Sequence, residues 1–154
     1  VTAGTYELCD RLAVGDPTPE LLERLGGFQL ARNQVLLTAL AEVSLSMSDA
    51  GEAVELGRQA VARMPGDVSA RTLLAYALWQ AGSPADAEAA YNDALDLDRN
   101  AARALYGRGR VRIALRDFRG ALADLDRALA LGLSRSEEDR ARAAREEAQR
   151  HLGL

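Results

Sequence analysis

Very few side chains in this sequence could take part in covalent or proton-transfer chemistry. Cys9 and His151 are its only cysteine and its only histidine, and they stand at opposite ends of the chain, so a thiolate–imidazole pair would need the two ends to meet. A structural zinc site needs clustered Cys or His, and the sequence has no such cluster. Carboxylates are plentiful, but Asp93, Asp96 and Asp98 are spaced around an exposed helix end, where solvation is their expected fate. Gly107-x-Gly109 lacks the further glycine of a phosphate-cradling loop and falls inside an expected helix, so it reads as a packing feature. No catalytic residue, metal ligand or cofactor-binding residue is assigned, and the sequence reads as non-enzymatic.

Charge is the more informative property. The chain carries −4 overall, yet all 19 of its Lys-or-Arg positions are arginine, which reads as the codon bias of a GC-rich bacterial genome. Between Arg99 and Arg119 stand seven Arg and one Asp, a local +6 that leaves −10 on the remainder. Arg103 and Arg110, seven residues apart, share one helix face, while Arg108, Arg112 and Arg116 step by four along another. Of the second set, Arg108 and Arg112 are expected to pair internally, with Glu137, Glu138, Glu146 and Glu147 as partners. The first set is better placed to meet an acidic ligand through bidentate contacts with carboxylate or phosphate. A pI of about 5.1 and the lack of a recognition motif argue against nucleic acid as the partner.

The elements that must position these groups are helices. Thirty Ala and 25 Leu stand against only 14 Val, Ile and Thr, and Ala and Leu lose little side-chain freedom in a helix. A length of 154 residues suits one domain with a real core. No apolar run approaches the roughly 18 residues of a membrane span, and no signal-peptide pattern opens the chain. A single cysteine cannot form an internal disulfide, so a cytoplasmic, reducing location is expected. The chain begins with Val, which fits a piece of a longer protein or a lost leader.

A repeat runs through most of the sequence. Shifting by 34 residues superimposes Ala53, Ala87 and Ala121, then Ala60, Ala94 and Ala128, then Ala41, Ala75 and Gly109. Small residues recurring at fixed points mark close helix crossings, since a larger side chain would push the axes apart. The frame divides into 34–67, 68–101 and 102–135. Asp49, Asp67, Ser83, Asn100 and Asp117 stand where helix N-caps are needed, Pro84 suits a first helical position, and Gly82 suits a left-handed turn. Helices are expected over about 28–47, 50–63, 68–81, 84–97, 101–115 and 118–131.

This pattern resembles the tetratricopeptide repeat, a 34-residue helix–turn–helix unit. The family's small eighth, twentieth and twenty-seventh positions are the three series above, and its large apolar twenty-fourth position is Tyr91 and Leu125 but Gly57 in the first unit. The aromatic of its fourth position is absent, with Leu37, Arg71 and Leu105 there instead. The resemblance implies an all-α, right-handed α-solenoid of three such units, joined to an irregular helical segment over 1–33. That segment is expected to form short helices near 4–14 and 19–25. Residues 136–154 form a charged helix with a narrow stripe of Ala141, Ala144, Ala148 and Leu152, suited to capping the last unit.

In the family, the first helices of successive units line a concave groove that holds a peptide or a partner's helix. The matching positions here are Val35, Thr38, Glu42, Leu45 and Ser46 in the first unit. Ser69, Thr72, Tyr76, Trp79 and Gln80 match in the second, and Arg103, Tyr106, Arg110, Ile113 and Ala114 in the third. Of these, Thr38, Glu42, Thr72, Tyr76, Trp79, Arg103, Tyr106, Arg110 and Ile113 are the candidate partner-binding residues, because Tyr, Trp and Arg dominate interface energetics. Trp79 has an equal claim to a core position. A subclass that clamps the carboxylate ends of chaperone tails wants cations or amides where this chain has Thr38, Glu42 and Leu73; only Arg103 fits it. The resemblance thus implies a non-catalytic module holding a protein or peptide, with acidic groups compatible. The alternative is a regulatory or self-association domain of a larger enzyme or transcription regulator, in which the chain forms homo-oligomers.

Overall fold

The computed structural model describes residues 49–154. Cys9, Val35, Thr38, Glu42, Leu45 and Ser46, and the helices expected over 4–14, 19–25 and 28–47, lie outside them. Six helices follow one another in the described residues: α1 (Ala50–Arg63), α2 (Val68–Gln80), α3 (Pro84–Leu97), α4 (Ala102–Ala114), α5 (Phe118–Leu131) and α6 (Arg135–Leu152). Each packs on the next, and α2 also touches α4, as α4 touches α6. This is an all-α helical-repeat fold in which α2, α4 and α6 form one layer and α1, α3 and α5 alternate with them.

Local chemistry explains most of the boundaries. The Asp49 carboxylate accepts from the Glu52 N–H at 3.0 Å, Asp67 accepts from Ser69 and Ala70 at 2.7 and 3.1 Å, and Asp117 accepts from Gly120 at 3.0 Å. These bonds satisfy amides that no preceding turn can reach. Two expected caps differ. Ser83 holds the N-cap position of α3 but makes no side-chain cap bond, and Pro84 opens the helix. Asn100 does not cap α4; Ala101 holds that position, and the Asn100 amide oxygen accepts from Arg127 Nη2 at 2.8 Å. Ser134 and Glu137 form a reciprocal capping box at the start of α6.

Packing follows the small residues. Ala53, Ala87 and Ala121, and likewise Ala60, Ala94 and Ala128, are fully buried at the crossings, as is Ala75. Around them sit the large buried side chains Tyr91, Leu105, Val111 and Leu125, the three aliphatic ones each worth about 1.5–3 kcal/mol. The glycines at the helix contacts are as constrained as the alanines. A Cβ on Gly107 would lie 2.2 Å from the Tyr91 ring, and one on Gly109 would lie 2.8 Å from Leu125 Cγ. Gly57 stands where the other units carry Tyr91 and Leu125. It is buried against Leu74, whose side chain fills the space that a large residue at 57 would need.

Burial pushes the Tyr91 phenol well above its usual pKa; the nearby Arg110 charge opposes this, and Tyr76 and Tyr106 add to it. The ring is almost fully buried, so making room for an added methyl at Gly107 would require the surrounding core to shift.

One buried carboxylate organises the polar interior. Asp124 of α5 accepts from Arg108 Nε at 2.8 Å and Nη2 at 2.7 Å, a bidentate pair, and from Arg112 Nη1 at 2.9 Å. Arg108 also donates to the Asn92 amide oxygen at 2.7 Å, and Arg112 to Glu88 at 2.8 Å, both on α3. Burial alone would lower the proton affinity of Arg112, but the Glu88 hydrogen bond and the charges of Asp124, Glu88 and Asp117 outweigh it and raise the pKa. Both arginines pair internally as expected, but with α3 and α5 rather than with the carboxylates of α6. Spaced four apart on α4, they face the layer that contains α3 and α5.

Two outcomes test this account of the core. Gly107→Ala should destabilise the protein by about 1–3 kcal/mol through overpacking, despite the higher helix propensity of Ala. Gly51→Ala, where the new Cβ meets only Asp49 Oδ1 at an ordinary 3.5 Å, should be neutral or stabilising by up to about 1 kcal/mol; thermal melts followed by circular dichroism compare the pair. Asp124→Asn should cost roughly 2–4 kcal/mol in urea unfolding, because two guanidiniums lose their shared counter-charge. That lies toward the lower side of buried-pair losses, since side chains 108 and 112 are 18% and 21% exposed.

Candidate functional site

The layer made by α2, α4 and α6 encloses a cleft of about 400 Å³. Trp79 enters it from α2, Arg110, Ile113 and Ala114 from α4, and Ala144, Glu147 and His151 from α6. Arg116 and Phe118, in the α4–α5 turn and the first turn of α5, close one end. Trp79 is half-buried: it packs against the core cluster and also lines the cleft.

Arg110 is held by aromatic faces. Its guanidinium carbon lies 4.2 Å from the Trp79 ring centroid and 5.6 Å from that of Tyr106, contacts worth about 0.5–2 kcal/mol. Tyr76 meets Trp79 edge to face, with centroids 6.2 Å apart, and its hydroxyl accepts from Gln80 Nε2 at 2.8 Å. Tyr106 is buried beneath this group, and its hydroxyl finds no hydrogen-bond partner among the described residues. Across the cleft, the Phe118 and His151 rings stack with centroids 4.3 Å apart and planes 10° from parallel.

The candidate residues therefore divide. Trp79, Arg110 and Ile113 line the cleft, with Tyr76 and Tyr106 supporting them. Thr72 donates its hydroxyl to the Val68 carbonyl at 2.7 Å within its own helix and does not line the cleft. Arg103 was expected to stand beside Arg110, facing a ligand. Instead it donates to Glu137 Oε1 at 2.8 Å, joining α4 to the capping box of α6. Burial by itself would raise the Glu137 pKa, but hydrogen bonds from the Ser134 hydroxyl and amide, with the hydrogen bond and charge of Arg103, pull it below the usual carboxylate range.

Sequence reasoning missed the contribution of α6 and of the α4–α5 turn. The signal was the repeat itself. Carried one step past residue 135, the 34-residue shift takes Arg110 to Ala144 and Ile113 to Glu147, both lining residues. The same shift takes Gly82 to Arg116. Both adopt a left-handed backbone, φ +81° and +64°, at the same point of the turn. In each turn the following amide also closes back onto the preceding helix, Ser83 N–H on the Leu78 carbonyl and Asp117 N–H on the Arg112 carbonyl.

A family model, tetratricopeptide repeat, matches residues 44–111. Over those residues the chain is similar to the tetratricopeptide repeat. Solved structures of such domains agree with the fold. The first tetratricopeptide domain of human RPAP3 superimposes with a TM-score of 0.72 at 23% identity, over 80% of this chain and 94% of that one. The Sgt2 tetratricopeptide domain of Aspergillus fumigatus gives 0.71 at 18% identity, over 79% and 80%. The TPR2B domain of yeast Sti1, in a complex with a pHsp70, gives 0.69 at 24% identity, over 79% and 97%. No curated protein sequence matches.

Among the described residues no group of His, Cys, Asp and Glu is arranged to hold a metal ion, and no helix is long and apolar enough to cross a membrane.

Arg116 and Glu137 yield measurable consequences. A left-handed backbone costs a non-glycine residue about 1–2 kcal/mol, partly offset by the extra unfolded-state entropy of Gly, so Arg116→Gly should raise stability by roughly 0.5–1 kcal/mol. The lowered pKa of Glu137 means its ionised form is favoured by folding. Its contribution is therefore complete above the ordinary carboxylate range and is lost as pH falls through the lowered value. Acid unfolding should begin at higher pH in the wild type than in Glu137→Gln when each is normalised to its own neutral-pH stability, because the variant has lost that pH-dependent contribution.

Proposed function

We propose that this chain is a non-catalytic interaction module that holds a peptide or a protein segment on the face formed by α2, α4 and α6. The observation that carries the reading is the half-buried Trp79–Arg110 stack opening onto the cleft of that face. Aromatic and arginine side chains that keep an exposed surface inside a concavity are the usual anchors of protein interfaces. Structural neighbours support the class of partner. The first domain of Spaghetti (RPAP3) is bound to the HSP90 peptide SRMEEVD, and its fold superimposes on this chain with a TM-score of 0.72 at 22% identity.

Chaperone tails themselves are not the proposed ligand, because Leu73 stands where the clamp for such tails wants a polar group, and Arg103 is engaged by Glu137. The division into repeats over 34–67, 68–101 and 102–135, with 136–154 as the cap, belongs to the same reading. In it α6 closes the apolar side of α5 with Ala141 and Ala148.

Mixing the protein with extract of its source cell, as wild type and as Trp79→Ala with Tyr76→Ala, tests the reading. A partner retained by the wild type and lost by the variant is expected, together with shielding of Trp79 fluorescence from acrylamide when the partner is bound. Retention of the same partner by the variant would move the interaction to another face. Self-association abolished by the same substitutions would move the reading to a dimerisation domain.

A further inference from the structure

The four arginines of α4 are not equivalent. Arg103 is bonded to Glu137, Arg108 to Asp124, and Arg112 to Asp124 and Glu88. Arg110 alone has no carboxylate partner among the described residues, although it is half-buried and pressed between two rings. The Trp79 face fixes the guanidinium while leaving its donors unused, which prepares it for an anionic oxygen without further ordering.

Arg116 supplies a second cation to the same cleft and also makes no ion pair among the described residues. Its backbone carries a conformation that the equivalent turn gives to Gly82, so the turn does not need a side chain there. Glu147 is the one carboxylate among the lining residues, which leaves the two arginines in excess before His151 is counted. Trp79, Ile113 and Phe118 line the same cleft, and its volume of about 400 Å³ has room for one bulky side chain and its flanking backbone.

We infer that this cleft binds an acidic peptide segment bearing one bulky apolar side chain. Arg110 and Arg116 take its carboxylates, and Trp79, Ile113 and Phe118 surround the apolar group. The inference rests on the reading of this face as the peptide-binding surface and specifies what that face selects. Charge complementarity decides the occupant: a neutral apolar segment would leave both guanidiniums desolvated and unpaired, and a basic one would add repulsion.

Random heptapeptides displayed on phage and panned against the 154-residue chain provide the test. The expected clones carry Asp or Glu on both sides of an aromatic or large aliphatic residue. A fluorescein-labelled peptide of the enriched sequence should bind in an anisotropy titration, more weakly as salt rises. Changing its apolar residue to Ala, or the protein by Arg110→Gln, should each weaken it by ~10-fold, the scale of one charge-assisted contact or one buried side chain.

Arg116→Gly is the informative variant, because it should lose affinity while gaining thermal stability, a pair of signs that damage to the fold cannot produce. Glu147→Gln should bind the peptide more tightly. Enrichment of basic or uncharged peptides that still require Trp79 would overturn the inference and leave the peptide-binding reading standing. No enrichment at all would remove both. Unchanged affinity in both arginine variants, or equal competition by a single-stranded oligonucleotide, would also overturn it.

Discussion

The packing of Tyr91 over Gly107 is the constraint on which the rest of this structure depends. The ring occupies the volume that any Cβ at 107 would need, and in doing so it joins α3 to α4. Leu125 over Gly109 does the same between α4 and α5, and Leu74 against Gly57 does so between α1 and α2. Each contact pairs one large side chain with one residue that has almost none. The helices can then approach closely without leaving a void, and close packing is what makes a core unique as well as stable. The alanine series at 53, 87 and 121 and at 60, 94 and 128 keeps the remaining crossings equally tight.

With the helices fixed this closely, the charge on α4 is sorted by the faces it presents. Arg108 and Arg112 turn toward α3 and α5, where burial would be costly without a partner, and Asp124 with Glu88 and Asn92 supplies one. Arg103 reaches the first turn of α6. Arg110 faces the layer of α2 and α6, where its neighbours are rings rather than carboxylates. One arginine-rich helix thereby ties three others together and still leaves a cation in the cleft. Of the seven arginines between 99 and 119, Arg103, Arg108 and Arg112 are taken up in ion pairs with other helices.

The cleft also depends on α6 standing where the first helix of a further unit would stand. Ala141 and Ala148 seat it against the preceding unit, and the Phe118–His151 stack ties its last turn to the start of α5. The surface exchange Arg145–Asp126 adds a link of the kind that contributes little alone. A helix placed for covering the core thus also forms one wall of the cleft, which couples the stability of the chain's end to the shape of the site.

The 34-residue recurrence of small residues was enough by itself to locate α1 to α5 within about two residues, because steric exclusion at a helix crossing acts on residue type alone. Asp caps and the glycine turn at 82 were equally legible, since they satisfy local hydrogen bonds and dihedral angles. Ser83 and Asn100 have suitable types but make no side-chain cap bond: Ser83 caps α3 by position alone, and Asn100 accepts from Arg127 instead. That Trp79, Arg110 and Ile113 share one face was implied by the resemblance to the tetratricopeptide repeat. Which carboxylate each arginine would meet was not: Asp124, Glu88 and Glu137 are brought in from other helices, at separations of 12 to 34 residues. Periodicity decides which face a side chain takes, but pairing across helices depends on their relative rotation and distance, which only the packed structure sets.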